Sequence, residues 1–210
     1  TSLGTRPDYF GQVRRCHATL RELGVAADII SPEGPLAVYR AVIVPMPFIC
    51  TSRLAKQLEV YAHEGGTVLV TAPAGYKTSA NTAVETPPPG LLMNLLGVEV
   101  VEHDVLASHS SGSIKLKGGG TYEAGPLCSV LQLRGAEAIG KYASQYYSGS
   151  PAVTSREIGD GRALFLAADC AGECLGEVLR QMIKDTDVPA SDWSGPTLEV
   201  VPLKGTPEEP

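Results

Sequence analysis

The sequence predicts an α/β sandwich, in which a largely parallel sheet is covered by helices on both faces and elaborated in its second half by antiparallel strands. Three observations carry that expectation. Short apolar runs, "AVIVPMP" (41–47) and "TVLVTAP" (67–73), alternate with helix-periodic segments in the first half, and strands apolar on both faces need cover on both sides. From Val98 onward the helical period gives way to short runs separated by Gly and Ser, which suits antiparallel strands. A share of 43% hydrophobic and 19% charged residues over 210 residues is ordinary for a chain that buries one core.

The elements follow in order. "YFGQVRRCHATLREL" (9–23) places Val13, Cys16, His17, Leu20 and Leu23 on one helix face, closed by Gly24. "AADII" (26–30) reads as a short strand, followed by a Ser-Pro-Glu-Gly-Pro turn and the "AVIVPMP" strand. Thr51 or Ser52 caps the next helix, whose Leu54, Leu58 and Tyr61 share a face before Gly65-Gly66 ends it. "TVLVTAP" is the third strand. Residues 74–90, "AGYKTSANTAVETPPPG", form a polar, proline-stopped loop long enough to suggest a function or a partner contact.

A short helix, "GLLMNLLG" (90–97), opens the second half. "VEVVEHDVLAS", "SGSIKLKGG", "CSVLQLRG" and "EAIGKYAS" then read as short strands. "PAVTSREI" and "RALFLAAD" read as two more, joined at Gly159-Asp160-Gly161 in a tight hairpin. A helix from Leu175 to Lys184, a linker containing Trp193 and a last strand, "TLEVVPL" (197–203), complete the domain. The expectation is one domain over residues 1–205 and a frayed tail at 206–210.

Charge and composition exclude several classes. A net charge of −6 is unsuited to nucleic acid or an anionic membrane, both of which want clustered Lys and Arg. No apolar run approaches the roughly 18–20 residues of a membrane span, and no signal peptide is recognisable. The chain begins at Thr1 rather than Met, as a processed or excised segment does. Cys16, Cys50, Cys128, Cys170 and Cys174 make an odd count with no framework spacing, the pattern of idle thiols in a reducing, cytoplasmic compartment. Cys170 and Cys174 stand one helical turn apart, but with His17, His63, His103 and His109 scattered they do not make the four converging ligands zinc needs. The sequence therefore predicts no metal and no cofactor.

Several chemistries have candidate residues. A phosphate loop at Gly159-x-Gly161 would need a helix after it, and "RALFL" is a strand; Gly118-Gly119-Gly120 likewise reads as a turn. A nucleophile in an α/β sandwich belongs on the sharp turn after a strand; here that turn is Ala72-Pro73-Ala74-Gly75, and Pro73 has no nucleophilic atom. Thr71, Thr78 and Ser79 are near but need a positioned base, for which His63 is the candidate. Cys50 is the best-placed thiol, and in an apolar "FIC" run it reads as inert. Glu99, Glu102 and Asp104 read as solvated strand carboxylates rather than a facing acid–nucleophile pair, and Tyr142, Tyr146 and Tyr147 as core or interface rather than a sugar platform.

Several of these pieces, in order, resemble one family. "LRELGVAADIISPEGPLAVYRAVIVP", "YAHEGGTVLVTAPAG", "PGLLMNLLGVEVVEHD", "GSPAVTSREIGDGRALFLA" and "LEVVPLKG" are similar to the trimerisation domain that follows the catalytic barrel in glycoside hydrolase family 42 β-galactosidases, over Tyr9 to Val201. The resemblance implies a three-layer αβα fold of the flavodoxin-like, class I glutamine-amidotransferase type. It also implies an absent triad: Pro73 stands at the nucleophile's turn, and "FLAAD" offers only Asp169 where a His-x-Glu would lie. The family's catalytic glutamates sit in the barrel, so no catalytic residue is carried over. Residues 76–89 and the Cys170–Cys174 junction depart from the family pattern.

What the resemblance implies is a non-catalytic domain of a β-galactosidase-like enzyme that joins three copies of itself around a threefold axis beside a catalytic barrel. Two readings stand against it. One is a stand-alone sugar- or small-molecule-binding module using the crevice at the carboxyl ends of the parallel strands. The other is a hydrolase or amidotransferase built on an unrecognised nucleophile such as Cys50.

Overall fold

Capped amphipathic helices and buried strands form where the residue pattern asks for them. In the computed structural model, which describes residues 8–107, 110–170, 172–184, 186 and 188, helix α1 spans Tyr9–Glu22 and starts where the Asp8 carboxylate accepts the Gly11 N–H at 2.9 Å. Strand β1 (Ala41–Val44) leads to helix α2 (Ser52–His63), whose cap is Thr51: its hydroxyl accepts the Leu54 N–H at 3.2 Å. Strand β2 (Thr67–Thr71) is buried at every position. A 3₁₀ turn at Gly90–Leu92 runs into the one-turn helix α3 (Met93–Leu96), which ends at Gly97.

Seven further strands follow before the last described helix. They are β3 (Val98–Val105), β4 (Gly112–Leu116), β5 (Thr121–Ala124), β6 (Leu127–Leu133), β7 (Glu137–Tyr142) and β8 (Pro151–Ile158), with β9 (Gly161–Leu166) closing the set. Helix α4 (Gly172–Lys184) begins three residues before the expected Leu175. The linker at Trp193, the strand "TLEVVPL" and the 206–210 tail lie outside the described residues.

The sheet corrects the expected fold class. Its order is β1-β2-β9-β8-β7-β4-β5, and only β1, β2 and β9 run parallel. Every later pairing is antiparallel, and β3 and β6 form a separate two-stranded ribbon. The result is a mixed half-barrel rather than a flavodoxin-like or amidotransferase-like three-layer sandwich on a largely parallel sheet. One reason is local. Residues 26–30, "AADII", make no strand: Asp28 is held by the Tyr39 hydroxyl at 3.0 Å, and Ile29 and Ile30 stand exposed. The parallel set thus stops at β1. The second reason is that residues 98–166 spend their length on short strands joined by turns, leaving no crossover helices to make parallel pairs.

Alternation along β9 divides the core. Leu164 and Leu166 pack with Cys16 and Leu20 of α1 and with Leu175, Val178 and Leu179 of α4. Ala163, Phe165 and Ala167 pack on the other face with Leu58 of α2, Leu95 and Leu96 of α3, and Val98, Val100 and Leu131 of the ribbon. Helices α1 and α4 thus lie on one face of β9, and α2, α3 and the ribbon on the other.

The expected hairpin forms, with Ile158 opposite Gly161 and a two-residue turn at Gly159-Asp160. Gly159 has φ +58°, a conformation that suits glycine at the first position of such a turn. The turn sits on the end of α2: the Asp160 N–H donates to the His63 carbonyl and the Arg162 N–H to the Gly66 carbonyl, both at 3.2 Å. A Cβ on Gly161 would overlap the carbonyl oxygens of Ala62 and Gly66. Here glycine is needed for a backbone-to-backbone approach.

Candidate functional site

Ligands of open α/β sheets collect outside the carboxyl ends of the parallel strands, so that end is the first place to look for chemistry. It is filled. Residues 72–75 are all buried. The Thr71 hydroxyl accepts the Met46 N–H at 3.1 Å, and the Gly75 N–H donates to the Pro47 carbonyl at 2.8 Å. Gly75 and Gly90, with φ +69° and +59°, face one another so closely that a Cβ on Gly90 would lie 2.7 Å from the Gly75 carbonyl oxygen. The end of the 74–90 loop is therefore pressed against the turn where a nucleophile would stand, and that position is Pro73.

The other candidate nucleophiles and bases are not brought together. Cys50 is buried, its thiol pushed up to about 11 by burial, and its Sγ contacts the Thr51 carbonyl. Such a thiol carries little thiolate at neutral pH. His63 ends α2 beside the start of β2, at the opposite end of the strand from Pro73. Thr78 bonds Thr82 within the loop, 2.7 Å between hydroxyl oxygens.

Sequence reasoning missed one hydroxyl–imidazole cluster. His103 Nδ1 lies 3.1 Å from Ser129 Oγ and 3.2 Å from the Tyr76 hydroxyl. Strand pairing sets Ser129 opposite His103, and Tyr76 arrives from the long loop, its ring stacked on Phe48 at 5.1 Å. Burial holds the imidazole below its usual pKa, which favours the neutral ring. Ser129 is itself buried, so a substrate carbonyl has no approach to it. The cluster ties the loop to the β3–β6 ribbon.

The carboxylates are separately engaged. Glu99 Oε2 takes both Nε (3.0 Å) and a terminal nitrogen (2.8 Å) of Arg134. Glu102 accepts from the Tyr146 hydroxyl at 2.5 Å, and Asp104 from the Tyr147 hydroxyl at 2.9 Å. Tyr142 is buried, donating to the Ser129 and Ala167 carbonyls; Tyr147 meets it edge-on at 4.8 Å and Tyr146 at 4.9 Å. The three tyrosines form a stair from core to surface. Cys170 and Cys174 lie with sulfurs 3.0 Å apart in the core under α4. Among the described residues no group of three or more His, Cys, Asp or Glu side chains is placed to hold a metal ion.

Concavities occur at both ends of the parallel strands. A cleft of about 240 Å³ between Phe48, Tyr76, Lys77, Val84 and Pro88 lies beside the strand ends, smaller than the usual ~300–1,000 Å³ of small-molecule pockets. A polar cleft of about 630 Å³ lined by Tyr39, Arg40, Glu64, Asp160 and Arg162 lies at the amino ends of the parallel strands. Arg162 there donates to the Gln181 and Met182 carbonyls near the end of α4. What the surface offers instead is ordered apolar side chains, Val101 and Val105 on β3 and Tyr146 beside them among these. No described helix is long and apolar enough to cross a membrane.

The chain is similar to known proteins of one kind. The family model described as the β-galactosidase trimerisation domain matches residues 3–189. β-Galactosidase BglY of Alicyclobacillus acidocaldarius is 32% identical over 158 residues, 72% of this chain and 23% of its own length. β-Galactosidase BgaA of Planococcus sp. (strain SOS Orange) is 29% identical over 186 residues, 86% of this chain and 28% of its own length. Among solved structures, the β-galactosidase from Rahnella sp. R3 matches with a TM-score of 0.84 at 26% identity, over 88% of this chain and 28% of that one. The β-galactosidase from Bacillus circulans sp. alkalophilus matches at 0.82 and 26%, over 85% and 27%. The chain thus spans between 23% and 28% of the length of these proteins.

Proposed function

The chain belongs to the family of β-galactosidase trimerisation domains, and on that premise we propose that it is a non-catalytic assembly domain, holding three copies of itself together beside a catalytic barrel that carries the glycosidase chemistry. The observation that supports the absence of catalysis most directly is the strand-end turn, where Pro73 replaces a nucleophile and the facing backbones of Gly75 and Gly90 leave a substrate no room. The bound state of each carboxylate supports the same reading: Glu99, Glu102 and Asp104 each have a neighbour of their own and are not paired with one another. The chain acts as one domain, no metal or cofactor enters its work, and its partners are proteins. Its five free, buried thiols suit the cytoplasm.

Light scattering on the eluting 210-residue chain, with a chromogenic galactoside assay on the same fractions, tests the proposal. Three times the protomer mass of 22.0 kDa with no hydrolysis is the expected result. Turnover that co-elutes with the protein would refute the non-catalytic half, and a monomer at every concentration would refute the assembly half.

A further inference from the structure

We propose that Cys170 and Cys174 are an oxidisable dithiol, a site that hydroperoxides convert reversibly to a disulfide while the other three thiols of the chain stay reduced. The two sulfurs lie 3.0 Å apart and share a hydrogen bond, both side chains being buried in the core under α4. A disulfide bond measures about 2.05 Å, so closing it asks for a shift of about 1 Å. Cysteines four apart within one regular helix would stand one above the other on successive turns. Here Cys170 precedes α4, and the chain turns at Gly172 (φ +56°) where the helix begins, so Cys170 approaches Cys174 from outside the helical register. Its backbone is held there. The neighbouring Asp169 donates its N–H to the Leu127 carbonyl at 2.8 Å, and its carboxylate meets Arg15 of α1 at 3.3 Å.

The five thiols differ in a way that selects this pair. Burial pushes Cys16 and Cys50 up to about 11 and raises Cys128 as well. The hydrogen bond from Cys170 draws Cys174 below the ordinary 9.0 in spite of burial. Cys174 also lies in the first turn of α4, where the helix N–H groups favour a negative sulfur. It is therefore the nucleophile. Cys170, raised by its hydrogen bond to Cys174 and by burial, is the thiol that resolves the product. The path to solvent is short: Gly172 and Glu173, beside Cys174 in the chain, are exposed, and fraying of a helix end admits a small oxidant.

With hydrogen peroxide as the oxidant, the chemistry balances in two steps. The Cys174 thiolate attacks one peroxide oxygen; the O–O bond breaks, Cys174 becomes a sulfenic acid, and the other oxygen leaves as hydroxide, which takes up the proton Cys174 had released. Cys170 then attacks the Cys174 sulfur; the S–O bond breaks, the S–S bond forms, and the oxygen leaves with the Cys170 proton as water. Two thiols are oxidised and one peroxide is reduced to two waters. The disulfide fastens the first turn of α4 to the Asp169 segment and, through Arg15, to α1.

Mass spectrometry of the 210-residue chain after exposure to hydrogen peroxide tests this. Trypsin cuts after Arg162 and Arg180 and nowhere between, so both cysteines fall on the peptide 163–180. After native oxidation, alkylation in denaturant and digestion, that peptide should be two hydrogens lighter and carry no alkyl group, and dithiothreitol should restore both thiols. Cys16, Cys50 and Cys128 should be recovered alkylated, their oxidation at least about 10-fold slower. In Cys170→Ala, Cys174 should stop at the sulfenic acid and take up dimedone on denaturation; in Cys174→Ala, Cys170 should stay a thiol. The parent measurement needs neither variant, so a variant that fails to fold leaves the test intact. The site is internal to one protomer, so the result does not depend on assembly. A peptide 163–180 that stays reduced, or a Cys170 disulfide to Cys128 in its place, would overturn the inference; dimedone on Cys170 rather than Cys174 would overturn the roles. Hydrogen exchange in the first turn of α4 should slow in the oxidised chain, and unchanged exchange would refute the fastening.

Discussion

Alanine at Gly161 and alanine at Gly118 are the same substitution with opposite expected signs. Neither glycine has a positive φ, so the difference is one of space. At Gly161 the new Cβ overlaps two backbone carbonyls and lies 2.8 Å from the Gly65 carbonyl carbon, atoms that a rotamer change cannot clear. The turn must lift off α2, straining the Asp160 N–H to His63 and Arg162 N–H to Gly66 bonds. Overpacking of this kind costs about 1–3 kcal/mol, and each weakened hydrogen bond about 0.5–1.5 kcal/mol, so the loss should be about 3 kcal/mol. For a domain of this size that lowers the thermal midpoint by roughly 6–12 °C. At Gly118 the new methyl meets only Gln181 Nε2 at 3.6 Å, an ordinary contact, and the reduced entropy of the unfolded chain should stabilise by about 0.4–1 kcal/mol. Urea and thermal unfolding of the two variants, followed by circular dichroism, measure both. A Gly161→Ala protein within 1 kcal/mol of the parent would refute the claim that backbone contact makes this glycine necessary.

Other substitutions and conditions should respond as follows. Thr154 is buried on β8 with no hydrogen-bond partner for its hydroxyl among the described residues, so Thr154→Val should raise stability by about 1 kcal/mol; a clear loss in the unfolding midpoint would mean the hydroxyl is satisfied. Burial depresses the His103 pKa from its ordinary 6.5, so the unfolded chain takes up the proton first. That contribution to stability is full above pH 6.5 and falls as pH drops below it. His103→Gln should flatten the decline in thermal midpoint between neutral and mildly acid pH, and an unchanged slope would show that His103 is not its source. Cys16 and Cys50, both pushed up to about 11 by burial, should resist iodoacetamide in the native protein and react on denaturation; rapid native labelling, read by mass spectrometry, would contradict this placement.

Local features were legible in the sequence because local physics decides them. The Thr51 cap, the apolar face of α2 and the apolar runs of β1 and β2 follow from residue types a few positions apart, and so does the hairpin at Gly159. The sheet as a whole was not legible. "AADII" has the composition of a strand, but a long-range bond from Tyr39 to Asp28 and the turn at 31–34 hold it away from β1. "TYEA", too short and polar to signal itself, became β5 by pairing with β4. The order β9-β8-β7-β4-β5 is a property of contacts between residues tens of positions apart, which periodicity does not encode.

The candidate site divides in the same way. Pro73 at the strand-end turn was visible in the sequence, since the turn after an apolar strand is where a nucleophile belongs. The closing of that turn by Gly90 was not, because the two glycines are fifteen residues apart and meet only in the folded chain. Neither was the tyrosine stair: Tyr142, Tyr146 and Tyr147 stand close together in sequence, but which ring is buried and which stands at the surface depends on where β3 places Glu102 and Asp104.

The measurement that bears most directly on the central claim is the native mass of the 210-residue chain by sedimentation equilibrium across its accessible concentration range. A single species three times the 22.0 kDa protomer, or a monomer–trimer equilibrium with no dimer plateau, is the predicted result. A monomer at every concentration, or a dimer that does not grow, would contradict the account.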